Sequence, residues 1–309
     1  MKPDRILPGI LLMLAFCLLA PLLDVASKLA VESGIPVGEV TAARFLVQFA
    51  LMLPVVLAMG VPLALGARAF GFVALRAAFL IVSTFSFIAG IRVMPIADAL
   101  AIAFIEPFIL LILGRFLFGD KVGPRRIAAC AVGFGGALMV IQPSLAAFGL
   151  AALWPLGTAF FFAFYMLVTR SISAFMGPVA MQFHTSWTGF LICLPVLVVF
   201  RDGAVPDLRF VMPQGWQWLW LFGVGFWAGI SHMCMTYALT FAPASTLAPL
   251  HYTEIVVAVI LGLLVFGDLP DAMSFAGMAV IVGSGLYVIW RERVVARDAR
   301  RVLGGPISG

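Results

Sequence analysis

Apolar stretches of about 20 residues follow one another along the whole chain, separated by short polar turns. At 1.5 Å per residue, a helix of that length crosses the hydrocarbon of a bilayer. Ten such spans are predicted, at 6–28, 39–59, 70–91, 95–118, 125–142, 147–170, 178–200, 215–241, 243–266 and 273–291. The two-residue alternation of a membrane β-barrel is absent. Pro36, Pro62, Pro124, Pro178, Pro206 and Pro213 fall in or near the turns, where a missing backbone donor costs little. The expectation is an all-α membrane protein with ten transmembrane helices.

The pattern also repeats. FIEPFILLILGRFLFGD in the first half answers HYTEIVVAVILGLLVFGD in the second, and an offset of 148 lays Glu106 on Glu254 and Asp120 on Asp268. The same offset lays Pro95 on Pro243 and Gly135 on Gly283. After the first FGD the chain reads KVGPRR, and after the second LPDAMS. These turns lie five spans apart, so they face opposite sides of the membrane. The spacing predicts two inverted five-helix repeats, 1–142 and 147–291, with a cytoplasmic tail at 292–309. Inverted repeats are a common plan for secondary transporters, with cargo bound near the bilayer midplane at the repeat interface.

Composition removes the alternatives. Hydrophobic residues make up 63% of the chain, charged residues only 11%, and the mean hydropathy is +1.14. A soluble domain carries about 25% charged residues. The net charge of +5 does not indicate nucleic acid, because the basic residues sit at span ends and tails. With the N-terminus in the cytoplasm, the inner side holds twelve: Lys2, Arg5, Arg68, Lys121, Arg125, Arg126, Arg170, Arg291, Arg293, Arg297, Arg300 and Arg301. The outer side holds five: Lys28, Arg44, Arg92, Arg201 and Arg209. By the positive-inside rule both termini are therefore expected in the cytoplasm. Lys2 and Arg5 before an apolar run resemble a signal peptide, but the run is long and is read as a retained first helix. The four cysteines are isolated inside apolar stretches, which indicates neither a disulfide framework nor a metal site.

At this point the chain resembles the bacterial drug/metabolite transporter superfamily, in its ten-helix form with two EamA-type domains. The resemblance rests on Pro95, Ala97, Pro107, Gly119, Asp120, Gly133, Gly135 and Gly136 in the first half. In the second it rests on Pro243, Ser245, Gly262, Gly267, Asp268, Gly277 and Gly283. Two departures make the halves inequivalent: aspartate replaces the family's usual closing glutamate in both copies, and Ile255 stands where Pro107 stands in the first. The resemblance implies a multi-pass protein of the bacterial cytoplasmic (inner) membrane. It also implies that the fifth and tenth helices lie outside the transport path. The family moves amino acids, amines, nucleosides, S-adenosylmethionine, flavins and drugs, so the resemblance does not name the cargo.

A charge in hydrocarbon is costly and usually faces a cavity or a partner. Glu106 and Glu254 each lie about eleven residues into a span, on expected opposite walls of one central cavity. Each is a candidate for binding a cationic group or carrying a proton, with capping of unwound backbone as the structural alternative. His251 precedes Glu254 by three residues, which puts the two on one helix face. Asp24 and Lys28 have the i,i+4 spacing of a salt bridge at the outer end of the first span, which Arg44 can join, with a substrate or gate role as the alternative. Arg92 and Asp98 flank Pro95 and read as gate or helix-end residues rather than central ligands. His232 lies deep in the eighth span, and His184 near the outer end of the seventh. Trp227, Tyr252, Tyr165, Trp187 and Phe87 are candidate cavity walls, able to hold an organic cation or stack on a flat ring. Trp216, Trp218 and Trp220 read as an interfacial belt. GFWAG at 225–229 is a small-xxx-small helix contact.

The function expected is secondary active transport of a small polar organic metabolite, an amine, amino acid or related zwitterion, with the proton as candidate coupling ion. Facilitated exchange of an aromatic or heterocyclic metabolite is the alternative within transport. An intramembrane enzyme or a passive scaffold is the alternative outside it. No P-loop, metal-ligand set or catalytic constellation with recognisable spacing is present in the sequence. The protein is accordingly expected to use no metal or cofactor. Its partners are expected to be the lipid bilayer and a small molecule, and it is expected to work as a monomer or homodimer.

Overall fold

A computed structural model of the chain describes residues 6–118, 124–173, 175–241, 247 and 250–303. These residues form helices and turns, with no strand among them. The first half holds α1 (Ile6–Glu32), α2 (Val37–Ala58), α3 (Ala67–Ile91), α4 (Ile96–Ala103), α5 (Glu106–Phe118) and α6 (Pro124–Phe148). The second holds α7 (Trp154–Ile172), α8 (Pro178–Val199), α9 (Gln217–Phe241), α10 (Thr253–Leu261) and α11 (Ala272–Leu303). A 3-10 turn (Gly149–Leu153) joins the halves, and a π turn (Gly262–Phe266) extends α10. Lys2, Arg5, Gly119, Asp120, Lys121, Pro243 and Ser245 lie outside the described residues.

Seven helical stretches among the described residues are long and apolar enough to cross a bilayer, and shorter apolar helices cover Thr253–Phe266 and Ala272–Tyr287. The chain is thus an all-α, multi-pass membrane protein. Its described helices do not present themselves as ten long spans. One stretch runs over 46 residues, Ile127–Ile172. Unbroken, it would reach ~69 Å, more than twice the bilayer core. The backbone turns instead after Phe148, where Gly149 takes φ +64. That left-handed cap ends α6 before α7 begins.

The expected fourth and ninth spans are broken. Phe104 and Ile105 separate α4 from α5, and Tyr252 is a turn residue just before α10. Pro107 explains the first break, since it has no N–H to return to the carbonyl of Ala103. The second break has no proline. Its expected counterpart at 104–105 was foreshadowed by sequence, whereas the one at 252 was not. In both cases a glutamate opens the following helix: Glu106 is the first residue of α5 and Glu254 the second of α10. A carboxylate is favoured there by the helix dipole.

The helix pairings respect the repeat. The closest partners are α1 with α9, α3 with α7, α2 with α8 and α6 with α11, and α10 packs on α4. Exchanging the halves turns the α1–α9 pair into the α3–α7 pair and maps the other three onto themselves. Side chains equivalent by the offset of 148 also meet: the rings of Phe104 and Tyr252 are 5.3 Å apart. Glycines set the close approaches. A Cβ on Gly136 would lie 2.9 Å from the Gly277 carbonyl, so α6 and α11 touch backbone to backbone. A Cβ on Gly225 would lie 3.0 Å from the Arg44 carbonyl, so the GFWAG segment brings α9 against α2. Leu18, Phe116, Val199 and Leu264 point outward, where a bilayer replaces water as the solvent. The tail expected from 292 continues α11 as helix to Leu303.

Candidate functional site

A cavity of about 150 Å³ lies between α1, α2, α3, α7, α9 and the two helix breaks. Both broken helices contribute their glutamates, so Glu106 and Glu254 share one chamber as the repeat predicts. Asp24 enters from α1 and Arg44 from α2, with His232 from α9 and His251 from the turn before α10. The apolar wall is aromatic: Phe16, Phe87, Phe104 and Phe162. Ser83 and Thr158 pin α3 to α7 across it, each hydroxyl donating to the other residue's carbonyl at 3.2 and 3.3 Å.

The two glutamates differ in their partners. Glu254 Oε2 is 2.9 Å from His251 Nε2, the pair that the three-residue spacing suggested. Glu106 Oε1 is buried and has no hydrogen-bond partner. His251 is also packed between aromatic rings, with centroids 5.2 Å from Phe16 and 5.1 Å from Phe104.

Arg44 is buried in the same lining. Its Nη1 donates to Thr84 Oγ1 at 2.7 Å and its Nη2 to His232 Nε2 at 2.8 Å. Thr84 and His232 are themselves separated by 148 residues, so one guanidinium bonds equivalent positions of the two halves. His232 Nε2 must accept this bond, which leaves the ring proton on Nδ1.

Several candidates stand elsewhere. Lys28 does not pair with Asp24: its Nζ lies 2.6 Å from Asp268 Oδ2, 4.0 Å from Glu32 and 3.3 Å from the Met94 carbonyl. Its Nζ also sits 4.7 Å from the centre of the Phe266 ring. A partner 240 residues away has displaced the local i,i+4 choice, because Asp268 closes over it from the π turn. Arg92 bonds Asp207 in the loop between α8 and α9, which supports an end-of-helix role. Tyr252 is buried against Gly285, where any Cβ would overlap its hydroxyl, so it serves packing rather than the cavity wall. Tyr165 accepts from Arg76 Nη2 at 2.5 Å. Trp187 stacks on Phe70 at 6.0 Å and donates to His184 Nδ1 at 2.9 Å. Trp227 packs on the α1–α2–α9 core. None of these four aromatics lines the cavity.

His184 requires a correction. It bonds the Pro62 carbonyl at 3.1 Å, so it lies at the end that carries Arg68 and Arg170, opposite the end expected. Trp216 and Trp218 are exposed as an interfacial belt requires, whereas Trp220 is partly buried on the same core as Trp227.

Sequence reading missed two features. Thr84 carries no charge and stands out only once Arg44 is seen to need an acceptor. Arg76 was a lone basic residue within the third span, a signal in plain view. It is buried, and besides Tyr165 it bonds Thr185 and, through Nε, Thr169 at 2.8 Å, tying α3 to α7 and α8. No group of three metal-ligating side chains occurs among the described residues.

Comparison with known proteins gives a consistent picture. The description "EamA-like transporter family" matches residues 7–142 and 149–290. A riboflavin transporter of Vibrio cholerae serotype O1 is 27% identical over 281 residues, covering 90% of this chain and 91% of that protein. An S-adenosylmethionine uptake transporter of Rickettsia prowazekii is 24% identical over 255 residues, covering 82% and 83%. A solved crystal structure superposes with a TM-score of 0.65 at 17% identity, over 96% of this chain and 99% of that one, and shares the fold.

Proposed function

The chain belongs to the EamA-like transporter family, and from that premise we propose that it is a secondary carrier of a small polar organic metabolite with a positively charged group. The observation that carries this reading is the chamber itself. Glu106, Glu254 and Asp24 bring three carboxylates to one cavity that holds a single guanidinium. A cation, held also by the faces of Phe16, Phe87, Phe104 and Phe162, complements that excess. Transport follows by alternating access as the two halves, 1–142 and 147–291, exchange conformations. The proton is the coupling ion, carried on Glu106 or Glu254. The protein resides in the bacterial inner membrane with both termini in the cytoplasm.

A second reading has its own support. Four phenylalanines suit a flat heterocycle as well as a cation, and a riboflavin transporter is among the relatives. A 150 Å³ cavity accommodates about one benzene-sized ring, so a fused ring system requires a wider conformation than this one.

The test is counterflow in sealed proteoliposomes. Vesicles preloaded with an amine, an amino acid, S-adenosylmethionine or riboflavin are diluted into the labelled compound. Saturable counterflow of a cationic or zwitterionic member is expected, with accumulation when a pH gradient is imposed. Riboflavin alone exchanging would establish the second reading. Absence of counterflow for every compound would remove the carrier assignment.

A further inference from the structure

The cavity's one guanidinium is not neutralised at contact distance by any of its carboxylates. Arg44 is 7% exposed, yet both terminal nitrogens are given to neutral acceptors, Thr84 and His232. Among the described residues it makes no ion pair. A buried guanidinium with no carboxylate at contact distance, and only Asp24 within coulombic reach, marks a place where a further counter-ion can be supplied. Two further donors stand beside it: Arg44 Nε and His232 Nδ1 are both buried and both lack a partner. His232 Nδ1 carries a proton because Nε2 accepts from Arg44. Across the chamber the shortage has the opposite sign, since Glu106 Oε1 is a buried acceptor without a donor.

We propose that Arg44, positioned by Thr84 and His232, is the specificity-determining residue for the acceptor end of the cargo, so that the carrier reads an amino-acid-sized zwitterion by both poles. The carboxylate takes Arg44 Nε–H, and His232 holds the guanidinium in place through Nη2. The ammonium takes Glu106 and Glu254. This rests on the carrier reading above and deepens it, because an excess of acid alone would select a plain amine. A simple amine leaves Arg44 Nε–H and its guanidinium charge buried without a partner, and that loss is the basis of discrimination. Arg44 also bonds offset-equivalent positions of the two halves, a location suited to a group that stays at the cargo in both access states.

The test uses a probe triad in which only the charged ends change: methionine, its methyl ester and N-acetylmethionine. Binding to the purified full chain is read by thermal shift and by intrinsic fluorescence. Methionine is expected to bind about tenfold more tightly than either masked form, the scale of one lost charge-assisted contact. Arg44→Gln should bring methionine down to the ester's affinity and leave the ester unchanged. Should that variant fold poorly, His232→Phe keeps Arg44 and removes the acceptor that positions it, and should weaken methionine but not the ester. A merely structural Arg44 would lower both affinities together. An ester bound as well as methionine overturns the proposal, as does binding of none of the three. In the latter case counterflow of another panel member still upholds the carrier.

Discussion

Glu106 and Glu254 hold equal places in the repeat and differ in what they touch. Glu254 is already engaged with His251 at 2.9 Å, whereas Glu106 has an oxygen with no partner. The more polar wall is the one that reads cargo. We expect Glu254→Gln to weaken equilibrium binding about tenfold, the usual effect of losing one charged hydrogen bond. Glu106→Gln, whose amide oxygen still accepts from an ammonium, should weaken binding less, about threefold, and should slow proton-driven accumulation, because the amide cannot cycle a proton. Binding and accumulation measured on the same preparations check this. Equal binding losses would remove the division of labour, and a larger loss at Glu106 would reverse it. These residues were legible in sequence because a lone acid at mid-span is conspicuous and the repeat gave each a twin. Thr84 was not, since a hydroxyl in a span satisfies itself on its own helix in most contexts. Only Arg44 reaching across from α2 gives Thr84 a role.

Local rules worked within helices and failed between them. The i,i+3 spacing of His251 and Glu254 produced a contact, but the i,i+4 spacing of Asp24 and Lys28 did not. Lys28 is instead clasped where α1, the Met94 turn and the π turn converge, and Asp268 belongs to the other half of the chain. Such a tie between halves is expected to close the end opposite Arg68 and Arg170, the outer one by the charge argument. Lys28→Met should therefore raise outside labelling of a cysteine placed at Ser27, on the cavity wall, by several-fold. Asp268→Asn should act in the same direction. Unchanged labelling in both would mean that the clasp does not gate. At the other pairing extreme, α6 and α11 meet through Gly136 and Gly277 and contribute nothing to the chamber. Gly277→Val should cost about 1–3 kcal/mol through overpacking, read as a lower Tm. The methionine preference should survive it. The resemblance had placed both helices outside the transport path without pairing them, and the 252 break escaped because no proline announces it.

At the scale of the molecule, the apolar pattern conveyed the all-α class, and the repeat brought Glu106 and Glu254 to one chamber. They did not convey which helices pair, the break at 252 or which charges meet, the last depending on partners up to 240 residues apart. Orientation is the remaining global property, and charge alone argues it. The turn after the first FGD carries Lys121, Arg125 and Arg126, while the equivalent turn after the second carries Asp268 and Asp271. Basic turns are retained in the cytoplasm and acidic ones contribute little. An odd number of spans between equivalent turns sets them on opposite faces, which is the inversion that alternating access needs. The structure adds one independent constraint. His184 and Pro62 share an end with Arg68 and Arg170, whereas Lys28, Arg92 and Asp268 share the other. In a background with Cys17, Cys130, Cys193 and Cys234 replaced, an impermeant thiol reagent added outside should label Asp271→Cys and spare Lys121→Cys. Opening the cells should expose the second. Labelling of Lys121→Cys from outside with protection of Asp271→Cys would invert the assignment. Labelling of both from one side would break the inverted repeat itself, and with it the exchange of halves on which the transport mechanism depends.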